Sequence, residues 1–595
     1  MKNLLKRYVS IKNIIKVIEL DFFANLKLRY YKLAMKLFKI EDEKFDEILL
    51  KAGMNAVSST YLPVVFLTSI ILGLIIFIIF LIVFNIFYAI FGLIGGIFIV
   101  ILIGVLYPYV LAEEKAKSID ENLPYAFAFI SALSSANIPV VEIFTSLSKE
   151  DIYGGMSKEA KEIVKDTKVF NYDIITTFLR RARITPSKKL SSVYYNIVAS
   201  LIVGAEMKNI FHEIYERLME DRKLELFEAI EKVEILSEFY VIACGMIPLF
   251  VVMTVPVASS ISAILQTASL FGDPKLLPLT FYLWVPIASI IFMGLVYGIL
   301  PKDFKLNVSL LDVLKEFDEP EIEGIKMKFK WKPVHFITLF FWMLSIISFM
   351  LFFIRKSIFK FHGTDFLMFG ILFLILPFIL TSYWHFIIEN QKERYYPIFL
   401  NDLTMAVRSG MDIIRAMQVC ARTNYGPLTK IVKKMAIQMS WGRPVNEVFA
   451  DLERTEKSLI AKRIASILKE CAVSGGDVKD ILTSVTVHAY KLSEMKREIS
   501  ARQFIYVVVI YLSFFLYIGT SYIMVHSLLP TLLKNIHGLS VEFYKNYLFQ
   551  GILIYSIFSG ASLGILTERS IIAGIKHILL MLIVGYMLFK FYIGG

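Results

Sequence analysis

The sequence has few cysteines, which bears on redox and metal chemistry. Its 595 residues include three, Cys244, Cys420 and Cys471, and their spacing fits neither a zinc site nor a redox pair. Cys420 and Cys471 fall in predicted cytoplasmic helices, where thiols stay reduced. We therefore predict that all three are buried core residues, and we expect neither a metal nor a cofactor.

Motifs for nucleotide and peptide hydrolysis are also missing. The sequence contains no Gly-x-x-x-x-Gly-Lys, so it has no phosphate-cradling loop of its own. It has no His-Glu-x-x-His either, and the pair His212-Glu213 has no second metal ligand nearby in sequence. An ATPase or a zinc protease is thereby disfavoured, and we predict that the protein is not an enzyme.

Charge is scarce inside the long apolar stretches. Acids are absent from their middles, whereas Asp365, Lys576 and Lys590 lie near their ends, within snorkelling reach of water. Prolines at 248, 256, 286 and 377 are typical of broken transporter helices but also of ordinary kinks. An ion path is disfavoured, and a polytopic transporter with regulatory cytoplasmic domains is kept as the alternative function.

Apolar residues dominate the composition. Hydrophobic residues make up 56% of the chain, and the mean hydropathy is +0.63. Since about 20 residues cross the hydrocarbon of a bilayer, nine stretches have spanning length. They lie near 61–84, 87–111, 239–265, 278–300, 334–354, 364–388, 503–528, 547–566 and 571–592. The predicted fold class is all-α: a polytopic membrane protein with about nine transmembrane helices and two homologous cytoplasmic helical-bundle domains.

The distribution of basic residues predicts the orientation. Residues 1–60 carry twelve Lys or Arg, whereas the connections 266–277, 355–363 and 529–546 carry one, three and two. By the positive-inside rule, the N-terminus and both large polar stretches are cytoplasmic and the C-terminus is outside. No signal peptide precedes the first apolar run, so we expect a multi-pass protein of the cell membrane, inserted by internal signals.

These features predict the domain organisation. The basic residues 1–60 form either an amphipathic helix on the lipid surface or a helix packed on the polar domains. The predicted domains are the basic N-terminal segment 1–60, a transmembrane hairpin 61–111, helical domain 112–238, a transmembrane pair 239–300, a cytoplasmic linker 301–333, a second pair 334–388, helical domain 389–502 and three transmembrane helices 503–592.

The two polar stretches resemble each other at an offset near 270 residues. Pro124 and Pro397 are expected to open a helix in each, because proline suits the first helical turn. Asn137 in the first copy and Gly410 in the second are expected to end that helix, because both residues tolerate positive φ. Later turns are predicted at Gly204 and at the pair Gly475 and Gly476. Each copy is thus predicted to be a bundle of five or six short helices.

The last helix of each copy has no internal proline or glycine. Residues 207–238 and 478–502 continue directly into predicted spanning segments. A continuous helix would transmit a push or twist on the bundle to the bilayer.

Charge distinguishes the copies. Residues 112–238 contain 17 basic and 21 acidic residues, whereas residues 389–502 contain 19 and 13. The basic second copy would attract an acidic protein partner, although a solvated helix face is the simpler explanation for any single residue. No groove-reading motif supports nucleic acid. The candidate partner-binding residues are Arg408, Arg415, Lys430, Lys433, Lys434 and Arg443.

The segment from Pro397 to Leu403, followed by Arg408-Ser409-Gly410-Met411, resembles the archaeal branch of the type II secretion system F domain family. The resemblance covers nearly everything from Tyr61 onward and is strongest over 395–502. Over 123–238 it is weaker, because Asn137-Ile138-Pro139 replaces the usual turn.

This resemblance implies a non-enzymatic platform at the base of an archaellum or an archaeal type IV pilus. It implies two partners: a hexameric secretion ATPase on the cytoplasmic side, and pilin-like or archaellin subunits in the lipid bilayer. A hexameric ATPase suggests a homodimer or a trimer, yet two copies in one chain also allow a monomer to imitate a dimer.

Overall fold

The computed structural model describes residues 42–54, 56–83, 85–265, 273, 275–300, 333–354, 363–378, 383–473, 478–533 and 541–593. All regular secondary structure in these ranges is helical, and none of it is a β-strand. The chain divides into two compact units, 1–219 and 220–595. Most of the predicted amphipathic N-terminal segment, most of the linker 301–333 and the pair Gly475 and Gly476 lie outside the described residues.

Unit 1 contains a spanning hairpin followed by short helices. Its helices are α1 Asp42–Ala52, α2 Ser58–Val83, α3 Ile86–Ser134, α4 Val140–Lys149, α5 Gly155–Lys168, α6 Ile174–Ile184, α7 Lys188–Ile202 and the start of α8 Met207–Tyr240. A 3₁₀ turn, Asp151–Tyr153, precedes α5.

The hairpin of α2 and α3 turns at Asn85, which precedes the first residue of α3. Its helices approach closely at small residues: a Cβ added to Gly104 would lie 2.3 Å from a methyl group of Val65. Small residues allow spanning helices to pack without a hydrophobic driving force. In α1, Phe45 is buried against the hairpin, so this part of the basic N-terminal segment packs on protein.

The prolines at the start of the polar stretches do not begin helices, so that prediction is wrong. The 49-residue helix α3 passes through Pro108 and Pro124, and a 25-residue helix in unit 2, Trp384–Arg408, passes through Pro397. Proline removes one hydrogen bond from a helix interior and kinks it, but the other turns of a long, packed helix remain. Pro124 and Pro397 are themselves buried. A continuous helix therefore leads into the first polar stretch, and another continuous helix leads out of it.

Unit 2 begins within α8, which continues through a π-helical turn, Val241–Met246, into α9. A similar π-helical turn, Thr280–Trp284, joins α10 to α11, and another, Met524–Leu528, joins α19 to α20. A further π-helical turn follows α22. The helices are α9 Ile247–Leu265, α10 Leu276–Leu279, α11 Val285–Ile299, α12 Pro333–Ile354, α13 Gly363–Phe378, α14 Trp384–Arg408, α15 Ile413–Cys420, α16 Thr429–Ser440, α17 Val445–Thr455, α18 Leu459–Val473, α19 Val478–Ile523, α20 Leu529–Leu533, α21 Val541–Glu568 and α22 Ile571–Leu588.

Seven helices in the described ranges are long and apolar enough to span a membrane, so the predicted count of nine is not reached. They are Ser58–Val83, Ile86–Ser134, Met207–Ser262, Leu276–Ile299, Val478–Leu532, Val541–Glu568 and Ile571–Tyr592. The other two predicted spans, 334–354 and 364–388, coincide with the shorter apolar helices Leu339–Phe352 and Asp365–Pro377. The full helix α12 nevertheless runs for 22 residues, which is long enough for a crossing, and residues 379–382, which follow α13, lie outside the described ranges.

Helix α21 is the central spanning helix of unit 2, with 78% of its apolar window buried. It meets α22 at glycines: a Cβ on Gly564 would lie 2.2 Å from the amide nitrogen of Gly574. The stretch 560–564 reads Gly-Ala-Ser-Leu-Gly, the pattern of a hydrolase nucleophile turn. Here it lies inside a helix and Ser562 is fully buried, so the pattern serves helix packing.

Uncharged hydroxyl groups connect the spanning helices of unit 2. Tyr240 shares hydrogen bonds with Ser289 (3.2 Å) and Ser559 (3.0 Å), and Tyr555 donates to Ser513 (2.9 Å). Interhelical hydrogen bonds of this kind hold spanning helices together where no water is available.

All three cysteines are free and buried, as predicted. Burial raises the pKa of the Cys420 thiol to about 11 and that of Cys471 to about 12. Both remain protonated at neutral pH and are poor nucleophiles.

Candidate functional site

The two polar stretches fold with the same order of elements. Bundle 1 comprises α3 from Ala112 onward, α4 to α7 and α8 up to Met219; bundle 2 comprises α14 to α18 and α19 up to Arg502. In each, a short helix follows the long entering helix, then a 3₁₀ turn, three further helices and a long exit helix. The 3₁₀ turn of bundle 2 is Gly426–Leu428. The exit helices have no internal break before the apolar segments, as the sequence predicts.

Left-handed turns recur at equivalent positions of the two bundles. Asn137 has φ of +58° and Gly410 has +95°; Asn171 has +55° and Gly442 has +84°. Gly204, the other described turn of the sequence analysis, has +86°. Asparagine and glycine therefore exchange at two positions, because both adopt this conformation at low cost.

A third pair of turns, Gly154 and Gly426, was missed by the sequence analysis. Their φ values are +53° and +58°, and each follows a fully buried tyrosine. A Cβ on Gly154 would lie 3.1 Å from the Asn122 amide nitrogen, and one on Gly426 would lie 2.7 Å from the Tyr395 ring. The repeated Tyr-Gly dipeptide at the common offset was the signal that could have found them.

Hydrogen bonds define the two ends of each bundle. We call the base the end where the 3₁₀ turn meets the entering helix: in bundle 1 the Gly155 amide donates to Ser118 at 3.0 Å. The tip is the opposite end, where Lys208 donates to the carbonyl of Ser135 at 3.2 Å. By the matching order of helices, the tip of bundle 2 contains the turns 408–412 and 440–444, and its base contains 424–428.

Five of the six predicted partner-binding residues are exposed. They are Arg408, Arg415, Lys430, Lys433 and Lys434, and within the described ranges none of them has an ion pair. They do not form one compact patch. Arg408 lies at the tip, whereas the three lysines lie in the first half of α16, on the base side of the bundle. At 1.5 Å per residue, about 10 to 16 Å of helix separates them from the tip.

The sixth residue, Arg443, is held by its own bundle. Its guanidinium lies 2.5 Å from Asp451 and 3.4 Å from Glu447. It is half-buried, and its charge is already partly neutralised. Arg443 therefore fixes the turn between α16 and α17, and it is a weaker candidate for partner contact than the other five.

The tip of bundle 2 also exposes large apolar side chains that the sequence analysis did not select. Trp441 is 84% exposed, and Met405 and Met411 lie at the neighbouring turn with 61% and 37% of their surface exposed. Tryptophan is rarely so exposed in a monomer, and it is enriched at the energetic centres of interfaces. The basic surface is thus accompanied by an apolar anchor.

Bundle 1 carries its acids differently. Glu159 is fully buried, 2.6 Å from Arg181 and 3.2 Å from Lys115, and Asp166 is buried 3.5 Å from Arg180. Burial disfavours the Arg181 cation, but attraction by Glu159 outweighs it and raises the pKa of Arg181. Part of the net negative charge of the first copy is therefore internal and does not form an acidic face.

The base of bundle 2 is connected to the turn between α21 and α22. Lys496 donates hydrogen bonds to Glu393 and, at 2.9 Å, to Asn390. Asn390 donates to Glu568 at 3.4 Å, and Gln503 donates to the carbonyl of Leu566 at 2.8 Å. A shift of the bundle base would therefore reach the spanning helices through this polar network as well as through α19.

A buried acid lies at the same base. Glu456 is 3% exposed, 3.9 Å from Lys392, which in turn lies 2.7 Å from Glu389. Burial raises the pKa of Glu456, and Lys392 opposes this only in part.

The family model described as "Type II secretion system (T2SS), protein F" matches residues 126–255 and 399–526. Two such domains indicate a membrane platform protein of a type II secretion or type IV pilus-like system. Platforms of this kind are typically non-catalytic, and they generally work with secretion ATPases and pilin subunits. With its apolar helices, the chain is a multi-pass membrane protein. No solved structure matches it.

Proposed function

We propose that this protein is the platform of an archaeal type IV pilus-like machine, either an archaellum or a pilus. In this proposal it couples a cytoplasmic hexameric secretion ATPase to the insertion of pilin-like subunits into the filament. Two protein F domains in one chain support the platform role. The archaeal branch and the ATPase coupling rest on the motif around Pro397 and Gly410 and on the exposed surface of bundle 2.

The observation that carries the docking assignment is the set of five unpaired basic side chains on α14, α15 and α16 of bundle 2. Surface charges of one sign steer an oppositely charged partner and raise its rate of association. Trp441 at the tip adds an apolar contact that charge alone does not supply. An acidic ATPase surface with an apolar depression fits this combination.

The proposed coupling is mechanical. Helix α19 extends for 46 residues from bundle 2 through its apolar segment, and the network from Lys496 to Glu568 ties the bundle base to α21. A rigid helix transmits displacement better than a flexible loop. ATPase binding at bundle 2 would therefore move the central helix of unit 2 together with α19.

The ends of the spanning helices fit one orientation. Asp365 lies 2.8 Å from Lys590, so the start of α13 and the end of the last helix lie at the same end of unit 2. A different end of unit 2 contains Glu568, Asn390 and Gln503. We assign the second group to the cytoplasmic side and the Asp365–Lys590 pair to the outside, in line with the positive-inside rule.

The docking assignment is tested by charge reversal in two separate sets. Lys430, Lys433 and Lys434 are changed to Glu in one variant, and Arg408 and Arg415 in another. Each is expected to reduce co-purification of the ATPase with the full-length platform by at least tenfold at moderate salt. The control reverses three exposed lysines of bundle 1, Lys158, Lys168 and Lys188.

Unchanged capture by both bundle 2 variants would show that the ATPase binds elsewhere. Equal losses in the control would show a general charge effect. The filament type is tested separately: deletion of the gene is expected to remove either archaella or thinner adhesive pili, and electron microscopy of the cells distinguishes them.

The hydroxyl groups that join the described spanning helices of unit 2 give the transporter alternative no support. Tyr240, Ser289 and Ser559 bond to one another, as do Tyr555 and Ser513. These groups are uncharged and satisfied by protein, so they require no water or solute. Substrate-dependent transport by the purified protein in vesicles would reverse this judgement.

A further inference from the structure

A cavity of about 500 Å³ with both charged and apolar walls lies at the base of bundle 2. Its walls come from α14, α18 and α19 and from Glu568 at the end of α21. The charged residues that line it are Glu393, Arg394, Lys496, Arg497 and Glu568. The coupling residues Asn390, Lys496 and Glu568 form part of its wall, whereas Arg394 and Arg497 have no role in the proposed docking or coupling.

The charges in the cavity are not equivalent. Glu393 on α14 and Lys496 on α19 bond to each other. The next residue on each helix, Arg394 and Arg497, is exposed. Glu568 accepts from Asn390. Within the described part of the chain, neither arginine has a hydrogen bond or an ion pair. Arg394 attracts Glu568 at longer range. Both acids have hydrogen-bond partners, so the cavity offers two guanidinium groups that no hydrogen bond holds.

A smaller cavity adjoins this one, and the two share Lys496, Ser500 and Glu568. The second has an apolar wall, formed by Leu226, Ile230, Leu300 and Ile499, and is also lined by Thr567 and Arg569. Gln503, which lines it too, is the first residue of a predicted spanning segment. An apolar wall is thus available beside the charged residues, where α19 enters its predicted spanning segment.

We propose that the paired cavities bind the headgroup of an anionic phospholipid from the cytoplasmic leaflet. Arg394 and Arg497 would bind its phosphate, because guanidinium groups match phosphate oxygens in charge and geometry. Ser493 and Ser500 supply neighbouring hydroxyl donors, and the apolar wall of the second cavity receives the first part of an acyl chain. Free phosphate has the same charge chemistry but no use for the apolar wall, so the lipid is the better fit.

The test measures lipid binding to the full-length protein in detergent by native mass spectrometry. The probes are short-chain phosphatidylglycerol, short-chain phosphatidylcholine and inorganic phosphate. The wild-type protein is expected to retain one phosphatidylglycerol in preference to phosphatidylcholine. The double variant Arg394→Gln/Arg497→Gln is expected to bind it about tenfold more weakly or worse, since each basic residue near the membrane surface contributes appreciably to such binding.

The matched control is Arg422→Gln/Arg454→Gln, which removes two exposed arginines of bundle 2 that do not line the cavity. A second variant, Arg394→Lys/Arg497→Lys, keeps the charge and is expected to bind with intermediate strength. Equal binding of the two lipids, equal binding by the double variant, or binding of phosphate in competition with the lipid at similar affinity would each overturn the proposal. Unchanged thermal unfolding confirms that the variants are folded.

Discussion

The hydroxyl of Ser458 donates a hydrogen bond to the carboxylate of Glu393 in bundle 2, and Ser187 donates to Asp120 at the equivalent place in bundle 1. Both serines also cap the next helix, by accepting from the amides of Ala461 at 3.3 Å and Leu190 at 3.0 Å. One side chain thus fixes a helix start and ties it to the entering helix. Both bundles contain this hydrogen-bonded connection, formed with Glu393 in bundle 2 and with the shorter Asp120 in bundle 1.

Replacing Ser458 with Ala removes both the cap and a partner of a buried carboxylate. We expect the free energy of unfolding of bundle 2 to fall by about 1–3 kcal/mol. Hydrogen exchange of the amides at the start of α18 measures this in the detergent-solubilised protein. The control is Ser440→Ala, whose exposed hydroxyl bonds only within its own helix; an equal effect of the two substitutions would contradict the proposed role of this connection.

The exchange of Asn and Gly between the bundles makes a prediction about Gly410. Its φ is +95° and no atom lies within 4 Å of an added Cβ, so only backbone strain opposes a side chain. Gly410→Asn is expected to be tolerated, as Asn137 is in bundle 1, whereas Gly410→Val is expected to cost about 1–2 kcal/mol. Thermal unfolding of the two variants compares them, and equal stability would show that the turn does not require the left-handed conformation.

Gly426 combines the same backbone conformation with crowding. A Cβ there would lie 2.7 Å from the Tyr395 ring. Gly426→Ala is therefore expected to destabilise bundle 2 more than Gly442→Ala, where the Cβ has open space. The reverse order in thermal unfolding would contradict the packing at the base.

The buried acid Glu456 predicts a pH dependence. Its pKa is raised above the usual 4.5, chiefly by burial, so the folded state holds the proton more tightly than the unfolded state. This stability is complete below pH 4.5 and is lost as pH rises through the raised pKa. Glu456→Gln is expected to raise the midpoint of thermal unfolding at pH 8 and to change it little at pH 4.

The control for this experiment is Glu494→Gln, which removes an exposed acid that has no ion pair within the described residues. It is expected to change the midpoint by a similar small amount at both pH values. The difference in unfolding midpoint between the wild type and Glu456→Gln is compared at pH 4 and pH 8. An equal difference at both pH values would show that Lys392 fully compensates for the burial of Glu456.

Substitution of Trp441 is expected to weaken binding of the ATPase without lowering the stability of the protein. Because the side chain is 84% exposed, Trp441→Ala is expected to change the free energy of unfolding by no more than about 0.5 kcal/mol. Capture of the ATPase is expected to weaken at least tenfold, as for an interface anchor. Ile437→Ala, another exposed apolar residue of α16, is the control. Full capture by Trp441→Ala would remove the apolar anchor from the proposed interface.

Some errors of the sequence analysis have a clear physical origin. Pro124 and Pro397 were assigned to helix starts because proline fits there, but a long helix packed on its neighbours tolerates the loss of one hydrogen bond. Arg443 was grouped with the other basic residues because charge can be counted in sequence; its partners Asp451 and Glu447 come from the next helix and required the fold. Trp441 was not selected from the sequence, because only its exposure in the folded protein identifies it as a candidate contact.

The sequence by itself determined the helical class, seven of the predicted membrane segments and the buried cysteines, because hydrophobic length and periodicity are local properties of the chain. The tertiary structure decided which charges are free. Glu159 and Arg443 are neutralised by residues distant along the chain or on the following helix, whereas Arg394 and Arg497 are left open to a cavity. Pairing depends on which helices meet, and no local pattern encodes that.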